Sequence, residues 1–400
     1  MKKLMFENEN WIDHAIKHNV EAVISEKELF DKIISKKQLR IKFGVDVTNS
    51  LIHLGNAVNL WKMREFQENG HKVIFLIGDF TSLIGDPTGR SRVRPERSRD
   101  EIEKDAKEYV TQVTKILLDD PNVFEVRRNS EWYDSMKLDE FLKICAKITH
   151  GRLIQRDMFQ KRILDRSEIY MHEILYPILQ GYDSFMLKSD LTVIGNDQLF
   201  NELVGRHYQE IFGQPPQVIL TTTITPGIDG KEKQSKSLGN FIAITDFPEE
   251  KFGKIMSIPD HLIILYYQVY TFVDAEIINK LKNDLLQGTN PRDIKLKLEY
   301  DIVSLNHGDV AAKKAKDQFI KIFSNKEAPI DLQVNIINNG ESWETFLLSS
   351  GTVKSKSEAK RLIRAGGVDL DGKRVLPGDT ITKSGTAKIG KKNFIKIKVK

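Results

Sequence analysis

"LRIKFGVDVTNSLIHLGNAVNLWKMREFQENGHKVIFLIGDF", residues 39–80, decides the fold. Its opening, "LRIKFGVDVT", alternates apolar with polar side chains and is rich in β-branched ones, a pattern that favours a strand. After Gly55 the period changes, because Val58, Leu60 with Trp61, and Phe66 recur at helical spacing until "ENGH" ends the run. "KVIFLIGDF" is a short apolar run that fits a buried strand. The three pieces make a βαβ unit whose first turn sets His53, Gly55 and Asn56 at a helix N-terminus. Backbone N–H groups and the helix dipole there suit an anion. A glycine lets a ligand come close to the backbone, and an imidazole or amide can donate to phosphate or ribose oxygens. Gly44 and Asp46 stand just upstream on the strand.

Outward from this unit, residues from about 30 to 225 alternate strand-like and helix-like segments, as a mostly parallel α/β sheet does. "SRDEIEKDAKEYVTQVTKILL" is the clearest helix: Ser98 and Glu101 have capping-box spacing, and Ile102, Ala106, Tyr109, Val113 and Leu117 form one stripe. "NVFEVR", "DLTVIG" and "PQVILTTT" read as further strands. Between about 245 and 325 the strand signal gives way to helices such as "DAEIINKLKNDLL" and "PRDIKLKLEYDIVSL". "NKEAPIDLQVNIINNG" is polar and broken, as a linker is. Helix, helix and hairpin follow in "ETFLLSSG", "SKSEAKRLIRAGG" and "VDLDGKRV". The expected organisation is therefore an α/β domain with a Rossmann-like parallel sheet over 1–225, a helical domain over 226–325, a linker over 326–340 and a small α+β domain over 341–400.

Composition bounds the function. With 400 residues and 40% hydrophobic content the chain can fill two or three cores. No apolar run reaches the roughly 20 residues of a transmembrane helix, and "MKKLMFENENW" turns acidic before a signal-peptide core forms. The one cysteine, Cys145, sits in "FLKICAKI" and reads as a buried helical thiol in a reducing, cytoplasmic setting. The formal net charge of +5 is unevenly spread. Residues 351–400 hold 14 Lys and Arg against 4 Asp and Glu, so the first 350 carry five more acidic than basic side chains. A basic piece on an acidic body suggests a polyanion partner recruited at that end. "SKSEAKRLIRAGG" places Lys356, Lys360, Arg361 and Arg364 at near-helical spacing, which suits RNA backbone more than base sequence. The closing "NFIKIKVK" alternates apolar residues with lysines, as a protected edge strand does.

Two further stretches carry chemistry. In "GKEKQSKSLGN", residues 230–240, Lys233 and Lys236 alternate with Ser235 and Ser237 between glycines, a loop able to close on a triphosphate. In "IGDPTGRSRVR", Gly85, Asp86, Gly89, Arg90, Arg92 and Arg94 lie at the end of an expected strand, where ligands of such sheets bind. The P-loop pattern is absent.

A His-x-Gly-x helix start followed late in the same fold by Lys-x-Ser-Lys-Ser resembles the signature pair of class I aminoacyl-tRNA synthetases. "LYPILQGYDS" and "IGNDQLFNELVGR" resemble the tyrosine-pocket and ribose segments of tyrosyl-tRNA synthetases, and "SKSEAKRLIRAGGVDLDGKRV" is similar to the RNA-binding module named after ribosomal protein S-four. The likeness runs from about residue 5 to the end, in the expected order. It implies that Tyr176, Gln180 and Asp86 hold the α-ammonium of tyrosine and that Asp183 accepts a hydrogen bond from the phenol. Asp197 and Gln198, with the Gly195 backbone, would contact ribose and tyrosyl groups. The ATP site would be built from Gly44, Asp46, Thr48, His53, Gly55, Asn56 and Ser235. Lys233, Lys236, Arg90 and Arg94 would surround the departing pyrophosphate. It also implies ATP with Mg2+ as substrate complex without a protein-held metal, tRNA(Tyr) as partner, and a homodimer. The chain departs from the family's usual residues at Asn56 for a second His, Val47 for Pro, Ile194-Gly195-Asn196 for Gly-Gly-Thr, and Gln234 for Met. These changes cluster on the ATP side while the tyrosine side is intact, which points to a divergent copy with slower activation. Asn56, Ile194 and Gln234 keep in view an RNA-binding paralogue impaired in catalysis. The other alternative, a paralogue that adenylates a tyrosine analogue, has the presence of Asp183 against it.

Overall fold

The computed structural model describes residues 11–35, 38–47, 51–86, 97–236, 238–323, 334–390 and 393–400. Six strands among them form one sheet: β1 (Val20–Ile24), β2 (Arg40–Val45), β3 (Lys72–Ile77), β4 (Phe124–Arg128), β5 (Leu191–Gly195) and β6 (Val218–Thr222), in the order β1-β6-β5-β2-β3-β4. Every pairing is parallel except that of β1 with β6. The chain builds β2, β3 and β4 in one direction, then returns past β2 to lay β5 and β6 on its other side. β2 and β5 thus flank a topological switch point, the place where an α/β sheet opens a crevice at its carboxyl ends.

Alternation along β2 gives its two faces different work. Ile41 and Phe43 join Val73, Phe75 and Ile77 of β3 in a core covered by the helices Leu54–Glu68 and Arg99–Val113. Lys42 and Gly44 point the other way, toward the helices Met171–Met186 and Leu199–Ile211. Those two helices cross closely because of two glycines. A Cβ at Gly181 would lie 2.7 Å from Val204 Cγ1, and one at Gly205 would lie 2.6 Å from Ser184 Oγ. The close crossing brings Gln180 against Asn201 and Glu202, and Ser184 against Gly205, of the second helix.

The helices expected as a separate domain after residue 225 have no core of their own. Tyr266, Tyr267 and Tyr270 of the helix Ile263–Tyr270, with Leu298 and Ile302 of the helix Pro291–His307, are buried in the same cluster as Val58 and Trp61. The chain divides into two compact units instead, Met1–Gly308 and Asp309–Lys400. Apolar periodicity finds helices but does not say which core receives them.

The second unit begins with the helix Asp309–Phe323 and contains a core of Trp343, Phe346, Leu347, Ala359, Ile363, Val368 and Ile397. Asp371 and Gly372, both at positive φ, turn the expected hairpin between Val368–Leu370 and Lys373–Arg374. Two expectations are corrected. The strand Asn393–Val399 is not at an edge: it pairs antiparallel with Gly385–Ile389 and parallel with Val334–Ile337. That last strand lies in the stretch read as linker, where four residues between Gln333 and Asn338 are too short to reveal a period. Among the described residues no helix is long and apolar enough to cross a membrane.

Candidate active site

Lys42 from one face of β2, Asp46 just beyond the strand, and six side chains from the two crossing helices meet in the crevice. At its base the Lys42 ammonium donates to Ser184 Oγ at 2.7 Å and lies 2.9 and 2.7 Å from the two Glu202 oxygens. Both side chains of this ion pair are 2% exposed. Glu202 also accepts from the amides of Gln217 at 2.7 Å and Gln180 at 2.9 Å. Gln180 Oε1 in turn accepts from Asn201 Nδ2 at 2.7 Å, which also reaches Gln198 Oε1 at 3.1 Å. Gln198 Nε2 then donates to Asp86 at 2.9 Å. Five residues of the expected tyrosine and ATP sets thus meet at one place: Asp46 accepts from Thr81 Oγ1 at 2.8 Å and from the Asp86 backbone at 3.2 Å. Burial, then the carboxylates of Asp46 and Asp86, holds the Tyr176 phenol protonated well beyond its ordinary range. Arg156 stands 4.0 Å from Asp86.

Asp183, seven residues after Tyr176 and so about 10 Å along the helix, is 3% exposed. It accepts from Trp132 Nε1 at 3.0 Å and from Asn129 Nδ2 at 3.4 Å. Burial pushes its pKa up to about 7, against the pull of Lys42 and of the N–H donors around it. Gly44 lies on the same face of β2 as Lys42, and a Cβ there would meet only Leu76, at 3.7 Å. Gly44 is itself exposed, so its backbone is accessible to a ligand at that point.

The anion side is built around the turn that opens the helix Leu54–Glu68. His53 is the N-cap: its Nδ1 accepts from the Asn56 N–H at 3.3 Å, and Asn56 Oδ1 accepts from the His53 N–H at 3.4 Å. Burial, then Lys236 and Lys233, lowers the His53 pKa to about 4. The ring is neutral at pH 7, and with Nδ1 accepting, Nε2 carries the proton and donates. The cationic loop is tied to this turn through its exit, since Ile242 O accepts from Leu54 N and Ile52 O accepts from Ile244 N, both at 2.9 Å. Gln234 in the loop donates to the Tyr270 hydroxyl at 2.6 Å and accepts from Ile242 N at 3.3 Å. Ser235 N donates to Asn240 at 2.8 Å. Lys233 pairs with Asp197 at 3.1 Å. Lys236 lies over the Tyr109 ring, 5.9 Å from its centroid, and burial lowers its pKa to about 8. A Cβ at Gly195 would meet Asp197 Oδ1 at 2.8 Å, so a glycine there lets the carboxylate fold back. Ile194, in place of a glycine, is buried in β5.

Thr48, Arg90 and Arg94 lie outside the described residues. Among the described residues no group of three or more His, Cys, Asp or Glu is arranged to hold a metal ion. Sequence reasoning missed Asn129, Trp132, Arg156, Asn201 and Glu202. A signal existed for two of them, because Asn201 and Glu202 follow Gln198 by three and four residues and share its helix face. The arrangement can bind a cation at one end, a hydroxyl donor at the other, and a polyphosphate beside both; it offers charge stabilisation and orientation.

Asp183 gives a pH test. Between pH 3.8 and about 7 it is protonated in the folded chain and ionised in the unfolded one, so its share of stability is full below that window and is lost as pH rises through it. The Tm of Asp183→Asn minus that of the wild type should climb by several degrees from pH 4 to 7 and level off above; a difference that is flat with pH contradicts the assignment.

A model of the family described as tRNA synthetases class I (W and Y) matches residues 35–324, and one of the S4 domain matches residues 344–386. The tyrosine–tRNA ligase of Thermotoga maritima is 45% identical over 386 residues, 96% of either chain. That of Coxiella burnetii is 43% identical over 390 residues, 96% of this chain and 97% of its own. Among solved structures, the tyrosyl-tRNA synthetase of Archaeoglobus fulgidus complexed with L-tyrosine aligns with a TM-score of 0.60 at 24% identity, over 76% of this chain and 98% of its own. A C-terminally truncated mitochondrial tyrosyl-tRNA synthetase of Aspergillus nidulans gives 0.64 at 22% identity, over 80% and 95%. At those identities the two solved structures speak for the fold.

Proposed function

The chain belongs to the class I tRNA synthetase family of the tryptophan and tyrosine enzymes, and on that premise we propose that it is a tyrosine–tRNA ligase. It activates L-tyrosine with ATP to tyrosyl-adenylate, releases pyrophosphate, and transfers the tyrosyl group to the 3′ end of tRNA(Tyr). The observation that carries this reading is one gathering of groups: buried Asp183 on the helix that also carries Tyr176 and Gln180, Gln180 joined to Asp86 through Gln198, and exposed Gly44 between Lys42 and Asp46.

In this reading Asp86, Tyr176 and Gln180 take the ammonium, and Asp183 accepts from the phenol. His53 gives its Nε2–H to the triphosphate beside Thr48, and Asn56, whose oxygen closes the helix cap, turns its NH2 to the ribose side. Asp197, Gln198 and the Gly195 backbone hold ribose and tyrosyl groups. Lys233, Lys236, Arg90 and Arg94 gather round the pyrophosphate. The tyrosine carboxylate attacks the α-phosphorus in line and the bond to pyrophosphate breaks; then a terminal ribose hydroxyl of tRNA attacks the carbonyl carbon and AMP leaves. Orientation and charge stabilisation supply the rate, since neutral His53 is too weak a base to drive either step. Lys233 leaves Asp197 as ribose arrives and turns to phosphate. Mg2+ enters with ATP as part of the substrate. Exposed Lys356, Lys360, Arg361 and Arg364, on a helix that buries Ala359 and Ile363, meet the tRNA backbone.

The enzyme acts in the cytoplasm as a homodimer. Support for the dimer is a run of exposed apolar side chains on successive helices, with Leu138 at 72%, Leu142, Ile163, Leu164 at 82% and Met171. Sedimentation should give twice the mass of one chain, and a monomer at micromolar concentration contradicts it.

Pyrophosphate exchange into ATP by the purified protein should require L-tyrosine; exchange that is absent, or equal with phenylalanine, overturns the reading. Removing residues 334–400, the whole second sheet, should spare this exchange and reduce tRNA charging at least tenfold. Loss of both activities would argue against a separate RNA-binding role for that unit.

A further inference from the structure

Gln180 can bind a substrate ammonium only through its carbonyl oxygen, yet the two ends of a carboxamide differ little in shape and exchange by a half-turn about the last side-chain bond. What holds Gln180 one way round lies below it. Glu202, a residue the family likeness assigns no role, is buried beneath the crevice with its side chain 2% exposed. Every contact it makes there is with a donor: Lys42, Gln217 Nε2 and Gln180 Nε2. Its oxygens lie 2.9 and 2.7 Å from the Lys42 ammonium in an ion pair, and a carboxylate can only accept.

We propose that Glu202, paired with Lys42, is a positioning residue that fixes the Gln180 amide so that its oxygen faces the substrate ammonium. The proposal rests on the tyrosine–tRNA ligase reading. A half-turn of Gln180 would put its oxygen 2.9 Å from a Glu202 oxygen and 3.4 Å from Gln198 Oε1, and its NH2 against that of Asn201: three repulsive contacts in place of three hydrogen bonds. The order propagates. Asn201 must present its NH2 to the oxygens of Gln180 and Gln198, which leaves its own Oδ1 buried without a partner. Gln198 is then left with its NH2 for Asp86. The orphaned Asn201 oxygen is a cost carried by the network, and the opposite orientation of Asn201 would set that oxygen against two others. Lys42 and Glu202 do not touch the substrate in this account; they act through Gln180.

The test is tyrosine-dependent ATP–pyrophosphate exchange with KM measured for each substrate. Glu202→Gln can donate as well as accept, so it frees Gln180 to turn. KM for tyrosine should rise about tenfold, the effect of losing one hydrogen bond to a charged group. KM for ATP should stay within about twofold and kcat within about threefold. Lys42→Gln/Glu202→Gln leaves no lone buried ion and should show the same split with a Tm near that of the wild type. Gln180→Glu/Glu202→Gln places an acceptor-only group at 180, which needs no orienting, and should recover most of the tyrosine KM. An unchanged tyrosine KM in a folded Glu202 variant overturns the proposal. So does a joint rise of both KM values, or failure of the 180/202 exchange to rescue. A wild-type protein without tyrosine-dependent exchange instead overturns the functional reading.

Discussion

Glu202 and Lys42 bring two opposite charges to a place that water does not reach, and the rest of the site is arranged to satisfy them. Removing a charge from water costs several kcal/mol, and the mutual attraction of a buried pair seldom exceeds that cost by much. An apolar pair of similar volume would stabilise the fold about as well. What it could not do is dictate which end of each neighbouring amide donates. The two helices that carry Gln180 and Glu202 cross closely at Gly181 and Gly205, and across that crossing the two side chains meet at 2.9 Å.

The nucleotide half depends on a different constraint, that of a helix N-terminus whose cap must stay uncharged. Burial and two nearby lysines keep His53 neutral, so a ring that caps the helix through one nitrogen can still donate through the other. The cationic loop is held to that cap through Ile242 and through Gln234, which reaches Tyr270. Gln234 therefore replaces thioether packing with a buried, hydrogen-bonded amide, and the Tyr270 hydroxyl has a second partner in Thr225. Lys233 of the same loop pairs with Asp197, which ties the loop to the carboxyl end of β5 as well.

The central βαβ unit was legible because strand and helix periods differ and because Gly55 marks the change between them. The helix that begins at Leu54, the strands on either side and the capping box at Ser98 all lie where their patterns put them. Segments with little pattern were not legible: β1 is short and half exposed, and Val334–Ile337 is four residues inside a polar stretch. The merging of the later helices into the first core escaped for another reason, since tyrosines such as Tyr266 and Tyr270 look alike whether they line a private core or a shared one. In the site, each half could be read where residues lie on one helix face, as Tyr176, Gln180 and Asp183 do. The Lys42–Glu202 pair joins residues 160 apart in the chain, and no local period reports such a contact. One clue stood in the open: Lys42, Gly44 and Asp46 put a polar, open row on one face of a strand whose other face is core.

The central claim is that this crevice recognises tyrosine through buried groups that are already paired and aimed. Titration calorimetry of the full-length protein with L-tyrosine and with L-phenylalanine, at pH 8 and without ATP, tests it most directly. Phenylalanine would leave Asp183 buried without the phenol it accepts from, so tyrosine should bind about a hundredfold more tightly. Equal affinities would mean that Asp183 does not read the hydroxyl and that the crevice serves another ligand.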